Sequence, residues 1–155
     1  MKFMCTIVVV DDVKKSRHLY EVLLKQKVIG DFGEYNVAFE GGLALYKREL
    51  YQNIIKPHTI LRQTNNFEIY FEETDDLTKI QAIIEQQGFE IIHKIKEEPW
   101  KQLVFRFYDY DKNNICIAED MNITIRRLYQ NKMPIDEMIK VTGYKREDIV
   151  KILNN

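Results

Sequence analysis

One pattern of elements occurs twice along the chain, and this repeat constrains the fold more than any other feature. Residues 3–10 form a β-branched run that ends at Asp11-Asp12, which is typical of a buried strand followed by a capped helix. Residues 67–72 alternate in polarity and are followed by Asp75-Asp76 and a second helical pattern. Little side-chain identity survives between the halves, so the repeat is structural.

Three strands are predicted to follow each helix. In the first half we predict a helix and then strands at residues 14–27, 28–32, 35–39 and 43–46. In the second half the corresponding elements are residues 77–87, 90–96, 102–108 and 115–119. Residues 47–66 are polar and are expected to form a mobile connection between two βαβββ modules.

The last 35 residues have a different character. Residues 121–155 contain three segments with helical spacing, and the last two resemble a helix-turn-helix. The second of these opens with Lys145-Arg146-Glu147-Asp148, and the adjacent acidic residues would repel phosphates. We therefore expect a helical extension that packs on the rest of the protein or across a dimer, and nucleic-acid binding is disfavoured.

Composition removes several classes of partner. The formal net charge is -1, which removes the simplest argument for binding to nucleic acid and gives no basic face for anionic lipid. The apolar start is too short to cross a membrane. Cys5 and Cys116 are the only cysteines and do not form a disulfide framework, which favours a cytoplasmic protein.

Two stretches resemble a known family. Residues 6–20 are similar to an opening strand, acidic turn and helix, and residues 105–113 resemble a closing turn, with Tyr110 and Lys112 where proline and glycine are usual. Both resemble the glyoxalase/bleomycin-resistance/extradiol dioxygenase (vicinal oxygen chelate) superfamily. The resemblance implies an α+β fold of two βαβββ modules that form an incomplete mixed β-barrel, with a C-terminal helical tail. We expect a domain at residues 1–120, with modules at about 1–50 and 66–120, and an extension at 121–155.

Metal-dependent members of this superfamily hold a divalent ion with four side chains, usually His, Gln or Glu. By resemblance those positions are Cys5, Leu45 (Ala44 or Tyr46 if the alignment slips by one), Glu68 and Cys116. Only Glu68 is a conventional ligand, so no metal is expected. The alternative is a rearranged site in which Cys5, Glu68 and Cys116 bind zinc, or a site for nickel, manganese or iron.

Other side chains are candidates for ligand contact. Glu68 should need a partner on the concave face, and Arg106 is the best one, either as a structural ion pair or as a ligand contact. Trp100 either stacks on a ligand or fixes its loop to the sheet. Tyr46 and Tyr108 add possible hydroxyl donors. The three histidines have no motif partner and are interpreted as structural or surface residues: His18, His58 and His93.

Three functions remain open from the sequence. The first is a metal-independent binder of small molecules in a barrel cleft, of the bleomycin-resistance type. The second is a glyoxalase-like lyase or dioxygenase with a rearranged metal site. The third is a non-catalytic dimerisation scaffold. Short relatives usually dimerise, so a homodimer is expected.

Overall fold

The computed structural model describes residues 1–155 and has the two modules predicted from the sequence. The first contains β1 (Thr6–Val10), α1 (Val13–Arg17), β2 (Val28–Asp31), β3 (Asn36–Phe39) and β4 (Leu43–Lys47). After α2 (Arg48–Ile54) the second contains β5 (Ile69–Glu73), α3 (Leu77–Gln86), β6 (Ile91–Glu97), β7 (Leu103–Tyr108) and β8 (Asn114–Glu119). The helices α4 (Met121–Gln130), α5 (Ile135–Thr142) and α6 (Arg146–Asn154) complete the chain.

Each module builds one open sheet of four strands, and the two sheets have the same topology. The first has the order β1-β4-β3-β2 and the second β5-β8-β7-β6. In each sheet the first strand pairs parallel to the fourth and the other pairs are antiparallel. The α+β fold of two βαβββ modules with C-terminal helices is therefore confirmed.

The chain divides into two compact units. The first comprises residues 1–67 and 109–113, and the second comprises residues 68–108 and 114–155. Within the first unit the Tyr20 hydroxyl donates to Asp109 Oδ2 over 3.0 Å, and the amide of Asp11 donates to Asp111 Oδ1 over 3.0 Å. Lys112 has a φ of 67° in the same turn, and this conformation favours the glycine that is usual there.

The predicted helix at residues 14–27 is only partly α-helical. It is α-helical as far as Arg17 and continues as a π-helix over His18–Leu23, with the Leu24 amide bonded to the Leu19 carbonyl at 2.9 Å. The wider turn still buries Leu19 and Tyr20, so apolar spacing indicated a helix without distinguishing its type.

The expectation of an irregular, mobile connection at residues 47–66 is wrong in part, because α2 lies there. Arg48 on α2 binds Asp11 at 2.5 Å and Asp111 at 3.3 Å, and Arg62 binds the same two carboxylates. Burial alone would raise the pKa of Asp11, but hydrogen bonds from Arg62 and Arg48 bring that pKa below its usual value. These ion pairs tie the segment to the end of β1 and to the 109–113 turn.

Within the second unit, α3 covers one face of the sheet. Phe89, just after α3, packs edge-on against Phe107 of β7 with ring centroids 5.6 Å apart, and Ile84 of α3 is buried. The three C-terminal helices bury a separate apolar cluster, formed by Ile125, Leu128, Met138 and Ile149. None of the helices in the chain has the length and apolar character that a membrane crossing requires.

Candidate functional site

A row of four side chains crosses the face of the second sheet that α3 leaves uncovered. Tyr70 on β5 lies opposite Cys116 on β8, Cys116 lies opposite Arg106 on β7, and Arg106 lies opposite His93 on β6. Directly paired residues point to the same side of a sheet, and Phe107 points to the other side, toward α3. We call the side with these four residues the Arg106 face.

Two carboxylates and an imidazole surround the Arg106 guanidinium. Its Nε donates to Glu68 Oε2 at 2.8 Å, and Nη2 lies 3.4 Å from Glu68 Oε1. Nη1 donates to Glu98 Oε1 at 2.6 Å and lies 3.0 Å from His93 Nε2. The ion pair of Glu68 with Arg106 expected from the sequence is therefore present, although Glu68 lies one residue before β5 rather than within it.

The two carboxylates differ in burial. The Glu98 side chain is 11% exposed and the Glu68 side chain 33% exposed. Burial alone would raise the pKa of Glu98, but the hydrogen bond from Arg106 and the charge of Lys96 bring it below its usual value. The hydrogen bond to Glu68 raises the pKa of Arg106, which is already a permanent cation at neutral pH. The face therefore carries a fixed positive charge with two carboxylate partners.

Gln102, just before β7, holds two aromatic side chains. Its side-chain oxygen accepts from the Tyr70 hydroxyl and from Trp100 Nε1, both at 2.8 Å. Its amide nitrogen donates to the Glu119 carbonyl at 2.6 Å and to Glu72 Oε1 at 3.2 Å. Gln102 is 1% exposed, while Tyr70 and Trp100 are 44% and 37% exposed. A buried amide with all its capacity in use thus fixes two exposed aromatic side chains.

The middle of the row is chemically inert. Cys116 is fully buried, and burial raises the pKa of its thiol to about 12, so the thiol is protonated at neutral pH. Two residues earlier on β8, Asn114 lies opposite Tyr108 on the same face. Its Oδ1 is buried and accepts no hydrogen bond. That oxygen is an unsatisfied buried hydrogen-bond acceptor.

Comparison with known families identifies the fold that carries this face. A model of the glyoxalase-like domain family matches residues 3–122. The chain belongs to this glyoxalase-like family. The superfamily indicated by the two sequence stretches is thereby confirmed.

Solved structures of similar proteins agree with the fold described above. A protein of unknown function from Agrobacterium tumefaciens is 31% identical, with a TM-score of 0.63 over 77% of this chain and 94% of that chain. A lactoylglutathione lyase from the same organism is 17% identical, with a TM-score of 0.57 over 77% and 94%. A glyoxalase-related enzyme from Fulvimarina pelagi is 12% identical, with a TM-score of 0.67 over 78% and 89%. The last two show the fold alone. No curated protein matches the chain.

The positions that correspond by resemblance to the family's metal ligands carry donors that suit a divalent ion poorly. In the first unit Leu45 is a fully buried hydrocarbon, and Cys5 is exposed and lies just before β1. In the second unit both Glu68 oxygens face Arg106, and the Cys116 thiol is protonated. No group of three or more His, Cys, Asp or Glu side chains is arranged to hold a metal ion. These residues do not fit the divalent ion of the metal-dependent members.

The sequence-based interpretation of the cysteines and other candidates has mixed outcomes. A free cysteine on a core strand is expected to be buried. Cys116 is buried, but Cys5 is exposed. Tyr108 is buried on the Arg106 face. Tyr46 is on β4 of the first unit, with its ring centroid 6.1 Å from that of Tyr51. Whether Tyr46 or Tyr108 contacts a ligand stays a prediction.

His93 is interpreted from the sequence as a structural or surface residue, and its position beside Arg106 was not predicted. Tyr70, Gln102 and Glu98 were not singled out either. Glu98 lies two residues before Trp100 in the sequence, and a search for carboxylates near Trp100 would have found it. For His93 and Tyr70 the only signal is strand register, which periodicity does not supply.

Proposed function

We propose that this glyoxalase-like protein binds a small organic ligand on the Arg106 face without a metal ion. One observation carries the proposal: the Arg106 guanidinium binds Glu68 and lies opposite Cys116 in the sheet. By resemblance, Glu68 and Cys116 are the third and fourth metal-ligand positions of the superfamily. A cation from the chain itself therefore stands beside the two positions that the second module would contribute.

Electrostatics supports this assignment. The Arg106 guanidinium would repel a divalent ion beside it, and it already binds both oxygens of Glu68. Glu68 would have to leave Arg106 to bind the ion, and Cys116 would have to lose a proton that its burial retains. Arg106 instead has N–H groups in a planar fork, which recognises ligand oxygens directly.

The surrounding side chains suit a binding role. Trp100 and Tyr70 present exposed aromatic surface, and their hydrogen bonds to Gln102 limit the freedom that binding would remove. We assign ligand contact to Arg106 and Trp100, and Glu68 lines the same face as the partner of Arg106.

Native mass spectrometry tests the metal-independent part of the proposal. Untagged protein is measured as purified and after incubation with zinc, nickel, manganese or iron. We expect no stoichiometric ion on the wild type. One ion per chain that is lost in Cys116→Ala would contradict the proposal and favour a metal-dependent lyase or dioxygenase with a rearranged site.

We also propose that the protein is a homodimer in the cytoplasm. Free thiols at Cys5 and Cys116 suit a reducing compartment. Light scattering coupled to size-exclusion chromatography measures the oligomeric state, and a monomer at micromolar concentration would contradict the dimer. A dimer whose Arg106 face bound none of a broad set of small molecules would favour the scaffold alternative.

A further inference from the structure

The two carboxylates on Arg106 are held unequally. Glu98 is the more buried, accepts the shorter bond at 2.6 Å, and has Lys96 Nζ at 3.7 Å as a second cationic partner. Glu68 is three times as exposed and lies outside the ends of β5. Its side chain accepts hydrogen bonds from Arg106. Glu98 is thus a fixed partner of the guanidinium, and Glu68 is the partner that can leave into solvent.

The edge of Arg106 that Glu68 covers is suited to another carboxylate. Nε and Nη2 face the two Glu68 oxygens at 2.8 and 3.4 Å, which is the side-on arrangement in which a guanidinium holds a carboxylate. Exchange of Glu68 for a ligand carboxylate keeps the charge beside Arg106 unchanged, so no buried cation is left without a partner. An amine would find both carboxylates already paired, and a neutral amide would restore no charge.

The distance from Arg106 to the aromatic side chains sets the size of the ligand. Tyr70 and Arg106 are in one row with β8 between them, which corresponds to two strand spacings, or about 10 Å. Gln102 places Trp100 next to Tyr70, since one oxygen accepts from both. A carboxylate attached to an aromatic ring spans most of this distance.

Building on the proposed function, we infer that the ligand is an aromatic carboxylate. Its carboxylate replaces Glu68 on Arg106, and its ring lies against Tyr70 and Trp100. Glu68 is accordingly an internal competitor that covers the Arg106 edge when the ligand is absent.

Trp100 is the only tryptophan, so its fluorescence reports on this face directly. Metal-free wild-type protein is titrated with benzoate, benzamide and benzylamine, which share a ring and differ in charge. We expect benzoate to quench Trp100 at concentrations at least tenfold lower than benzamide or benzylamine. Equal quenching by the neutral or cationic probe overturns the ligand class but leaves a binding face, and so leaves the proposed function standing.

Variants test the exchange itself. Glu68→Ala should bind benzoate several-fold more tightly than wild type, because the competing carboxylate is gone, while Glu49→Ala on the exposed side of α2 serves as the matched control and should be unchanged. Arg106→Gln should weaken benzoate at least tenfold, and the matched control Arg126→Gln should not. Arg106→Lys keeps the charge without the fork, so a folded Lys variant with weakened binding supports the side-on contact.

Two further outcomes overturn the inference. One is benzoate binding that is unchanged or weaker in Glu68→Ala, since Glu68 would then not compete. The other is the absence of any Trp100 response to benzoate up to tens of millimolar. The proposed function is decided separately, by the metal measurement and by a broad fragment screen that reads the same tryptophan.

Discussion

Replacing Gln102 with leucine tests whether one buried amide fixes the aromatic side of the face. Leucine removes four hydrogen bonds: those accepted from Tyr70 and Trp100, and those donated to Glu72 and the Glu119 carbonyl. Three of these partners are exposed and can bind water instead. Only the Glu119 carbonyl, whose bond to Gln102 is buried, loses its partner without replacement.

The expected loss of stability follows from that count. An unsatisfied buried acceptor costs about 1–3 kcal/mol, and groups that regain water cost little. We therefore expect Gln102→Leu to lower the free energy of unfolding by about 2 kcal/mol. For a chain of this length that corresponds to roughly 4–8 °C in Tm. Trp100 should also become more accessible to acrylamide, because its Nε1 is released.

Urea unfolding followed by circular dichroism, together with acrylamide quenching of Trp100, measures both effects. Gln102→Glu is the control. The new carboxylate still accepts hydrogen bonds from Tyr70 and Trp100. It has no N–H group to donate to the Glu119 carbonyl or to Glu72. It should keep the Trp100 quenching of wild type and lose stability at neutral pH, with recovery as acidification protonates the new carboxyl. A Gln102→Leu variant with a change below 0.5 kcal/mol and unaltered quenching would refute the role of the amide.

Three further changes have defined outcomes, measured by urea unfolding. Lys112→Gly should raise the free energy of unfolding by about 0.5–1 kcal/mol, because relief of the left-handed backbone at 67° outweighs the added entropy of the unfolded chain; a loss would mean that the lysine side chain stabilises the turn. Asn114→Val should stabilise by about 1 kcal/mol by removing a buried acceptor without a donor, whereas destabilisation would reveal a hidden partner. The hydrogen bond from the Thr78 amide holds the pKa of Asp76 below its usual value of 3.8. The ionised Asp76 side chain therefore stabilises the folded state fully above about pH 4, and this stabilisation is lost as the pH falls through the lowered pKa. Asp76→Ala should thus be less stable than wild type at pH 7, with a smaller difference at pH 3, and an equal difference at both would contradict the capping role.

The fold could be predicted from the sequence because its signals are local. The second aspartate of each acidic pair caps the helix that follows: Asp12 accepts from the Lys15 amide and Asp76 from the Thr78 amide. Capping requires only a short polar side chain before an apolar helical pattern, so one sequence motif predicts where both helices begin. The strands were predicted within a few residues of their bounds for the same reason.

Other elements depend on contacts that spacing does not show. The helix α2 buries no residue completely, so its pattern lacks a continuous apolar stripe, and it is held instead by the ion pairs of Arg48. The π-helix at His18–Leu23 has the apolar spacing of an α-helix over so short a span. Neither difference has a signal in the sequence that is strong enough to decide it.

The residues of the site also differ in whether a local signal in the sequence predicts them. Pairing of Glu68 with Arg106 could be predicted, because a carboxylate on a half-buried face needs a cation. His93 could not be placed, because β6 and β7 change register on both sides of its pairing with Arg106. A shift of one residue would have turned His93 to the other face.

The charges on the Arg106 face also constrain what a single substitution can achieve. Among the four positions that correspond by resemblance to metal ligands, Glu68 is the one with a conventional donor, and its partner is a guanidinium. A carboxylate placed at position 116 would lie directly opposite Arg106 and would form another ion pair with it. Removing Arg106 alone would leave Glu68 and Glu98 close together without their cation, at a cost of several kcal/mol. A carboxylate at position 116 therefore leaves Glu68 bound to Arg106, and only a variant that also lacks Arg106 frees Glu68 for another partner.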